Sequence, residues 1–216
     1  MKISAPNINE SLEKVYDLTD IRRAAKRNDS DISGYLFYDV VLESEDLSYL
    51  SFLNCTFENC IFSGCDFEKT SFVDVRFIST DFSNADMNSA YFSRCEIKSS
   101  KLLGTNFNDC IMQDVLIGSS NCGYTIFDKC RISSCRFSSC DFSCAELVAC
   151  TLKAFSTESC KYLNTSFFRT ALGGIDFTSC SVAGVKVSDT FRELRNAVFT
   201  PSQAVELASL LGITIK

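Results

Sequence analysis

From Ile32 to Val187 every fifth residue is apolar, with a single exception. The series begins Ile32, Phe37, Leu42, Leu47, Phe52, Phe57, Phe62, Phe67, Phe72, Phe77 and Phe82, and it runs without a slip to Phe177, Val182 and Val187. Of its 32 positions only Thr157 lies outside the apolar class, and 15 of the 19 phenylalanines fall on it. A period of this kind constrains the fold more than any local propensity. Five residues of α-helix rotate a side chain by about 500°, which scatters successive positions around the axis. In a straight strand a step of five reverses the face each time. The spacing fits a chain that turns a corner of about 90° every five residues, with four pentapeptides closing one square coil.

The slot two residues before each apolar centre tests this reading, because residues two apart in extended chain point the same way. Those slots read Cys55, Cys60, Cys65, Thr70, Val75, Thr80, Ala85, Ala90 and Cys95, and 27 of the 32 hold Ala, Cys, Ser, Thr or Val. One large and one small residue per side therefore face inward. Thr157 conforms in its own way: its partner slot holds Phe155, so large and small change places and volume is conserved.

The alternation of small residue, polar residue, Leu or Phe and two further polar residues resembles the pentapeptide-repeat proteins. Cys60-Ile61-Phe62-Ser63-Gly64, Cys65-Asp66-Phe67-Glu68-Lys69, Thr80-Asp81-Phe82-Ser83-Asn84 and Cys140-Asp141-Phe142-Ser143-Cys144 match that pattern as they stand. The resemblance implies an all-β solenoid, a right-handed quadrilateral β-helix of about eight coils in which each coil touches only its neighbours. At an inter-strand spacing of about 4.8 Å the rod is about 40 Å long. The expected division is an N-terminal cap over 1–29, the β-helix over 30–189 and a C-terminal cap with a dimerisation helix over 190–216.

Thirteen cysteines raise the question of disulfides or zinc, and their positions argue against both. Eleven occupy the inward slot, which asks for a small, rather apolar side chain, and Cys122 sits at a centre. The sequence has no histidine and no paired zinc-type CxxC motif. Cys144 is the one thiol expected to face outward. No metal, no cofactor and no catalytic residue is assigned. The absence of His rules out Ser-His-Asp and Cys-His arrangements, no phosphate loop or dinucleotide fingerprint is present, and a rod without projecting loops offers no concave pocket. An enzyme is not expected.

Met1 to Asn9 is expected to be polar and extended, with Glu10 to Leu18 and Thr19 to Arg27 as short helices over the open end of the first coil. Thr19 is read as an N-cap, and Arg22, Arg23, Lys26 and Arg27 as a solvated face. At the other end, Phe191, Leu194, Val198 and Phe199 are expected to cover the last coil. Thr200-Pro201-Ser202-Gln203 is a helix start with N-cap, Pro at the first position and a capping box. Gly212 stops that helix, and Ile213-Thr214-Ile215 is read as a short strand. Val205, Leu207, Ala208, Leu210 and Leu211 make the helix apolar on more than one side, and these five are assigned to a homodimer interface.

The net charge of −6 is unevenly spread. Residues 30–114 carry 14 acidic and 5 basic side chains, whereas 115–189 carry 6 and 7. Asp46, Asp66 and Asp86 recur at one-coil intervals with Glu68 on the same face, and Asp81 is grouped with them as an acidic partner-binding face. Asp and Asn are also simply common in that slot, which would leave the strip a structural feature. The apolar helix from Gln203 followed by Leu-Gly-Ile-Thr-Ile is similar to the end of the Qnr-type fluoroquinolone-resistance members. That likeness implies a DNA-mimicking dimer that binds a type II topoisomerase, DNA gyrase or topoisomerase IV, with carboxylates in place of phosphates. No direct nucleic-acid contact is expected. The projecting loops of many such members are absent, and the cap of about 30 residues is unlike theirs. The alternative is an interaction scaffold, secreted as a bacterial effector, with Met1 to Asn9 as leader and outward Leu53, Ile61, Val73, Ile78, Ile111, Leu116, Ile126 and Phe168 as a docking patch. With no apolar run long enough for a signal peptide or a bilayer span, a cytoplasmic location is the default.

Overall fold

The computed structural model describes residues 3–9 and 11–213, apart from the side chain of Leu211. The chain is a parallel β-solenoid. Its elements are β1 (Glu13–Val15), α1 (Thr19–Asn28), β2 (Ile32–Ser33), β3 (Tyr35–Tyr38), β4 (Ser51–Glu58), β5 (Ser71–Ile78), β6 (Tyr91–Lys98), β7 (Ile111–Gly118), β8 (Arg131–Ser138), β9 (Thr151–Glu158) and α2 (Pro201–Ala208). The main ladder runs β1-β3-β4-β5-β6-β7-β8-β9, all parallel. From β4 onward each residue pairs with the one twenty positions later, as in Phe52↔Phe72↔Phe92↔Met112. The other two sides of each coil join through single bridges, Asp46↔Asp66↔Asp86↔Asn106↔Ile126↔Glu146↔Ser166↔Lys186. Those seven steps make about seven turns and eight stacked layers, in agreement with the coil count read from the repeat.

The corners have a simple origin. The second residue after each centre adopts a left-handed conformation, from Asn54 (φ 52°) and Asn59 (φ 56°) through Gly64 (φ 65°) and Lys69 (φ 54°) to Asn164 (φ 57°). One residue outside the β region per pentapeptide turns the chain, and Asn, Asp, Ser and Gly accept that conformation at lowest cost. Both inward slots are filled as expected. Phe52, Phe62, Phe72 and Phe92 are fully buried, and so are Cys55, Cys60, Cys65 and Cys95 between them. The rings form columns, with Phe52 stacked on Phe72 at 5.4 Å and Phe72 on Phe92 at 5.0 Å.

The exchange at Phe155 and Thr157 is less symmetrical than volume alone implies. Thr157 is buried and its hydroxyl bonds the buried Tyr162 hydroxyl at 2.8 Å. Phe155 is only partly buried, edge-on to Phe137 at 4.9 Å, and β9 is the last strand of the ladder. A phenyl ring in a slot cut for a thiol does not fit inside. In the next layer Leu172 and Phe177 instead bond forward, to the carbonyls of Glu193 and Val198.

The N-terminal segment departs from expectation. No helix forms over 11–18: Glu13–Val15 is a strand that pairs in register with Tyr35, Leu36 and Phe37. The first coil presents an open parallel edge, and a strand satisfies its backbone groups where a helix does not. Thr19 opens α1 but is not its cap. Leu18 holds that position without a side-chain bond, and Asp17 accepts the Thr19 N–H at 2.8 Å. The basic face of α1 is only half solvated, because Arg22 reaches Glu45 at 2.8 Å and Lys26 reaches Asp46 at 2.9 Å. α1 therefore docks on the first coil through ion pairs.

Residues 3–9 form an arm along the outer side of β4 to β7. The N–H groups of Asn9, Asn7 and Ser4 are donated to Asn54 Oδ1 (2.8 Å), Asp74 Oδ1 (2.9 Å) and Asp114 Oδ1 (3.1 Å). Pro6 is buried.

At the far end, Phe199 stacks on Phe177 at 5.4 Å, and Leu194 and Ala197 pack on the core. Val198 pairs its backbone with Asp176, yet its side chain is exposed, so it does not cover the coil. Glu193 is buried, taking the Arg169 N–H at 2.9 Å and the Ser188 hydroxyl at 2.8 Å. The α2 capping box is present, with Pro201 at the first position. Gly212 (φ 69°) ends the short 3-10 turn Ser209–Leu211 that follows. Thr214 and Ile215 of the expected final strand lie outside the described residues, and Ile213 is exposed without strand pairing. No helix among the described residues is long and apolar enough to cross a membrane.

Candidate functional site: the acidic strip and the C-terminal helix

The bridge series places Asp46, Asp66 and Asp86 in one column, one turn apart. Glu68 stands two residues beyond Asp66 on the same side. Asp81 does not join them. It belongs to the neighbouring side, in the column Ile61↔Asp81↔Lys101↔Asn121.

Each carboxylate of the column first serves its own turn. Asp46 Oδ1 accepts the N–H and hydroxyl of Ser48 at 2.9 and 2.5 Å. Asp66 Oδ1 accepts the Glu68 N–H at 2.7 Å, and Asp86 Oδ1 accepts the Asn88 N–H and Asn106 Nδ2, both at 2.9 Å. This is the local side-chain-to-backbone bonding that favours Asp before a turn.

Cations then divide the five acids. Lys26 pairs with Asp46, Lys69 with Glu68 at 2.9 Å, and Lys101 with Asp81 at 3.3 Å. Asp66 and Asp86 have no cation within salt-bridge distance among the described residues. The strip's uncompensated charge is therefore concentrated on two stacked residues. Lys69 and Lys101 were visible in the sequence one and twenty positions away. The Lys26 pair depends on the docking of α1 and carried no local signal.

Lys26, with the Ser48 hydroxyl next in weight, holds the Asp46 carboxyl down at about 2, below the usual carboxylate value of 3.8. A depressed folded-state pKa gives stability that is complete above the unfolded value and is lost as pH falls through the folded one. Docking of α1 is thus expected to weaken between about pH 4 and pH 2. Faster amide exchange in Thr19–Asn28 over that window, ahead of the solenoid, is the result that checks it. At Asp81 burial acts upward, and the Ser83 hydroxyl and N–H together with Lys101 outweigh it, so its pKa is also lowered.

Twelve of the thirteen cysteines are buried free thiols, and Cys144 is half-exposed. Burial pushes Cys55 and Cys60 up to about 11 and Cys95 to about 12, so they remain thiols at neutral pH. Their Sγ atoms donate to carbonyls of the layer beneath, as Cys55 does to Ile32 O and Cys95 to Phe72 O. The inward slot asks for a small donor, and the thiol supplies one.

α2 lies against the last coil through Gln203, which is buried, with Leu207 and Leu210 packed on the core. Gln203 Nε2 donates to the carbonyls of Phe177 (2.8 Å) and Cys180 (2.6 Å). Two of the five residues assigned to dimerisation therefore already contribute to the cap. Val205 is 51% exposed, and Val198 and Ile213 are exposed as well. The side chain of Leu211 lies outside the described residues.

Residues 50–127 match the family model described as Pentapeptide repeat region. The left-handed corners and the parallel ladder carry the same five-residue period beyond that stretch on both sides. The chain is similar to a trypsin-treated form of QnrB1, a plasmid-mediated fluoroquinolone resistance protein, at 18% identity and a TM-score of 0.52, over 85% of this chain and 91% of that one. A second trypsin-treated form of QnrB1 gives 17% identity and a TM-score of 0.47, over 84% and 99%. HetL, a pentapeptide repeat protein involved in heterocyst differentiation regulation from the cyanobacterium Nostoc sp. strain PCC 7120, gives 11% and 0.28, over 85% and 95%. No curated protein matches the chain in sequence. At 18% identity the likeness to QnrB1 is one of fold.

Proposed function

We propose that this chain is a non-enzymatic, cytoplasmic protein-binding rod whose partner is a type II topoisomerase, which it modulates or protects from fluoroquinolones. The observation that carries this reading is the pair Asp66 and Asp86. They stand one turn apart without a compensating cation among the described residues, within the half of the rod that carries net negative charge. Carboxylates repeated along a rod oppose a basic, DNA-accepting channel as phosphates do. In this reading two rods join through the outward side of α2, with Val205 at the joint.

Purified protein titrated into gyrase supercoiling reactions, with and without a fluoroquinolone, is expected to inhibit or rescue supercoiling at micromolar concentration. The Asp66→Asn/Asp86→Asn variant is expected to need about tenfold more protein, since charges at an interface act chiefly on encounter. If the wild-type rod neither inhibits nor rescues, topoisomerase binding is to be dropped. The dimer has its own check. Light scattering should show twice the chain mass, and Val205→Asp should halve it while leaving the circular dichroism of the folded rod unchanged, because that side chain faces outward.

A second reading is supported by the three lysine pairs, which leave less charge on the strip than a mimic of DNA would need. In that reading the rod is a scaffold or secreted effector that binds another protein. A monomer that is inert toward gyrase favours it.

A further inference from the structure

The acceptors that hold the N-terminal arm form a track. Asn54, Asp74, Arg94 and Asp114 are successive corner residues of β4 to β7, all left-handed, with φ between 50° and 54°. They rise one turn per rung. Arg94 aligns the Asp74 carboxylate by a two-pronged contact, Nε to Oδ1 at 2.7 Å and Nη2 to Oδ2 at 2.6 Å. The arm crosses these rungs in extended form. The donors that meet Asn54 and Asp74 are two positions apart for one rung, and those that meet Asp74 and Asp114 are three positions apart for two rungs. At about 3.3 Å per residue and about 4.8 Å per rung, an extended chain running obliquely keeps step with the ladder.

Three features distinguish this contact from ordinary packing. The arm donates only backbone N–H groups, which any residue except proline supplies. Among the described residues its hydrogen bonds to the solenoid all go to side-chain acceptors, and backbone pairing of the N-terminal segment begins at Glu13. Pro6, which has no donor, falls between the rungs and is the residue that is buried. Such recognition reads an extended backbone and a proline rather than a sequence. Seven residues are ordered here by three bonds and one buried ring, a small margin that a competing segment can overcome.

We propose that the outer side of β4 to β7 is a docking track for an extended, proline-containing segment of a partner protein, and that residues 3–9 are its resident ligand in cis. Release of the arm frees the acceptors Asn54, Asp74 and Asp114, and half-buried Leu53 and Val73 directly precede the first two in β4 and β5. The arm then competes with the partner at the effective concentration that its tether sets, about millimolar for a short linker.

The test uses full-length protein. Asn7→Pro/Asn9→Pro removes two of the three donors at positions outside the solenoid, and an unchanged unfolding temperature confirms that the rod is intact. The probe is an N-acetylated, fluorescein-labelled peptide with the sequence of residues 3–9. It is expected to bind the double variant at least tenfold more tightly than wild type, whose track is filled. Asp114→Ala in the double variant is expected to abolish binding. Asp114 belongs to no ion pair among the described residues, so that loss cannot be assigned to a stranded Arg94. In wild type, the Ser4, Asn7 and Asn9 amides should exchange more slowly than those of Ala5 and Ile8. The proposal is overturned if the peptide binds neither protein at millimolar concentration, or if its binding is indifferent to Asp114→Ala. It is equally overturned if wild-type chains exchange arms into a dimer that the double variant cannot form, for then the occupant is a second copy.

Discussion

Phe72→Ala is expected to lower the unfolding free energy by about 3–5 kcal/mol, the range for emptying a fully buried phenylalanine site. Phe72 lies at the crossing of two sets of contacts. It stacks on Phe52 and Phe92 at 5.4 and 5.0 Å along the rod, and it meets Phe67 and Phe77 at 5.9 and 5.3 Å around its own coil. A solenoid layer touches only its neighbours, so no distant element can move in to fill the void. Backbone hydrogen bonds to the layers above and below also hold the walls apart. Urea unfolding followed by circular dichroism measures the loss, and a drop below about 1.5 kcal/mol would show that the column relaxes as a soft core does. Phe72→Leu, which leaves a smaller cavity, should cost about half as much or less.

Gln203→Ala is expected to cost about 2–3 kcal/mol, confined to the C-terminal end of the rod. One side chain there answers three backbone groups: the carbonyls of Phe177 and Cys180, and the Thr200 N–H, which donates to Gln203 Oε1 at 2.7 Å. Alanine leaves all three to find water or remain unpaired. α2 loses its buried anchor and keeps only the partly buried Leu207, with Leu210 in the turn that follows. Two readouts follow. Amides in Pro201–Ala208 should exchange faster while those of β4 to β7 do not change. Cys180, 8% exposed in the intact protein, should react with a thiol reagent markedly faster than in wild type. An unchanged Cys180 rate would mean that the last coil is closed without α2.

Much of this molecule was legible because its repeat is local. A left-handed residue every fifth position sets the corner, and the centre with its small partner is repeated often enough to be read by counting. The thiols follow from the same count. What failed to read lay at the ends, where the count stops. Glu13–Val15 has helical-looking neighbours, yet the open edge of the first coil made it a strand. Arg22 and Lys26 look like a solvated face until α1 brings them against Glu45 and Asp46.

The candidate site divides in the same way. The column Asp46, Asp66 and Asp86 was visible at intervals of twenty. Its grouping with Asp81 was not sound, because a step of fifteen or thirty-five residues leads to a different side of the square. Which carboxylates remain uncompensated depends in part on where α1 docks. The arm was the least legible feature of all: Ser4 and Asp114 are 110 residues apart, and a backbone donor leaves no mark in composition.

By itself the sequence determined the solenoid, its eight layers, its dry core of rings and thiols, and the start of α2; Gly212, read as its stop, instead ends the 3-10 turn after Ala208. These rest on contacts between residues at fixed short intervals, repeated until no other fold can satisfy them. Only the tertiary structure decided what the rod displays: which acids stay bare, which side of α2 faces outward, and that residues 3–9 lie along β4 to β7. Those outcomes depend on single long-range contacts, each made once, and a contact made once leaves no period to read.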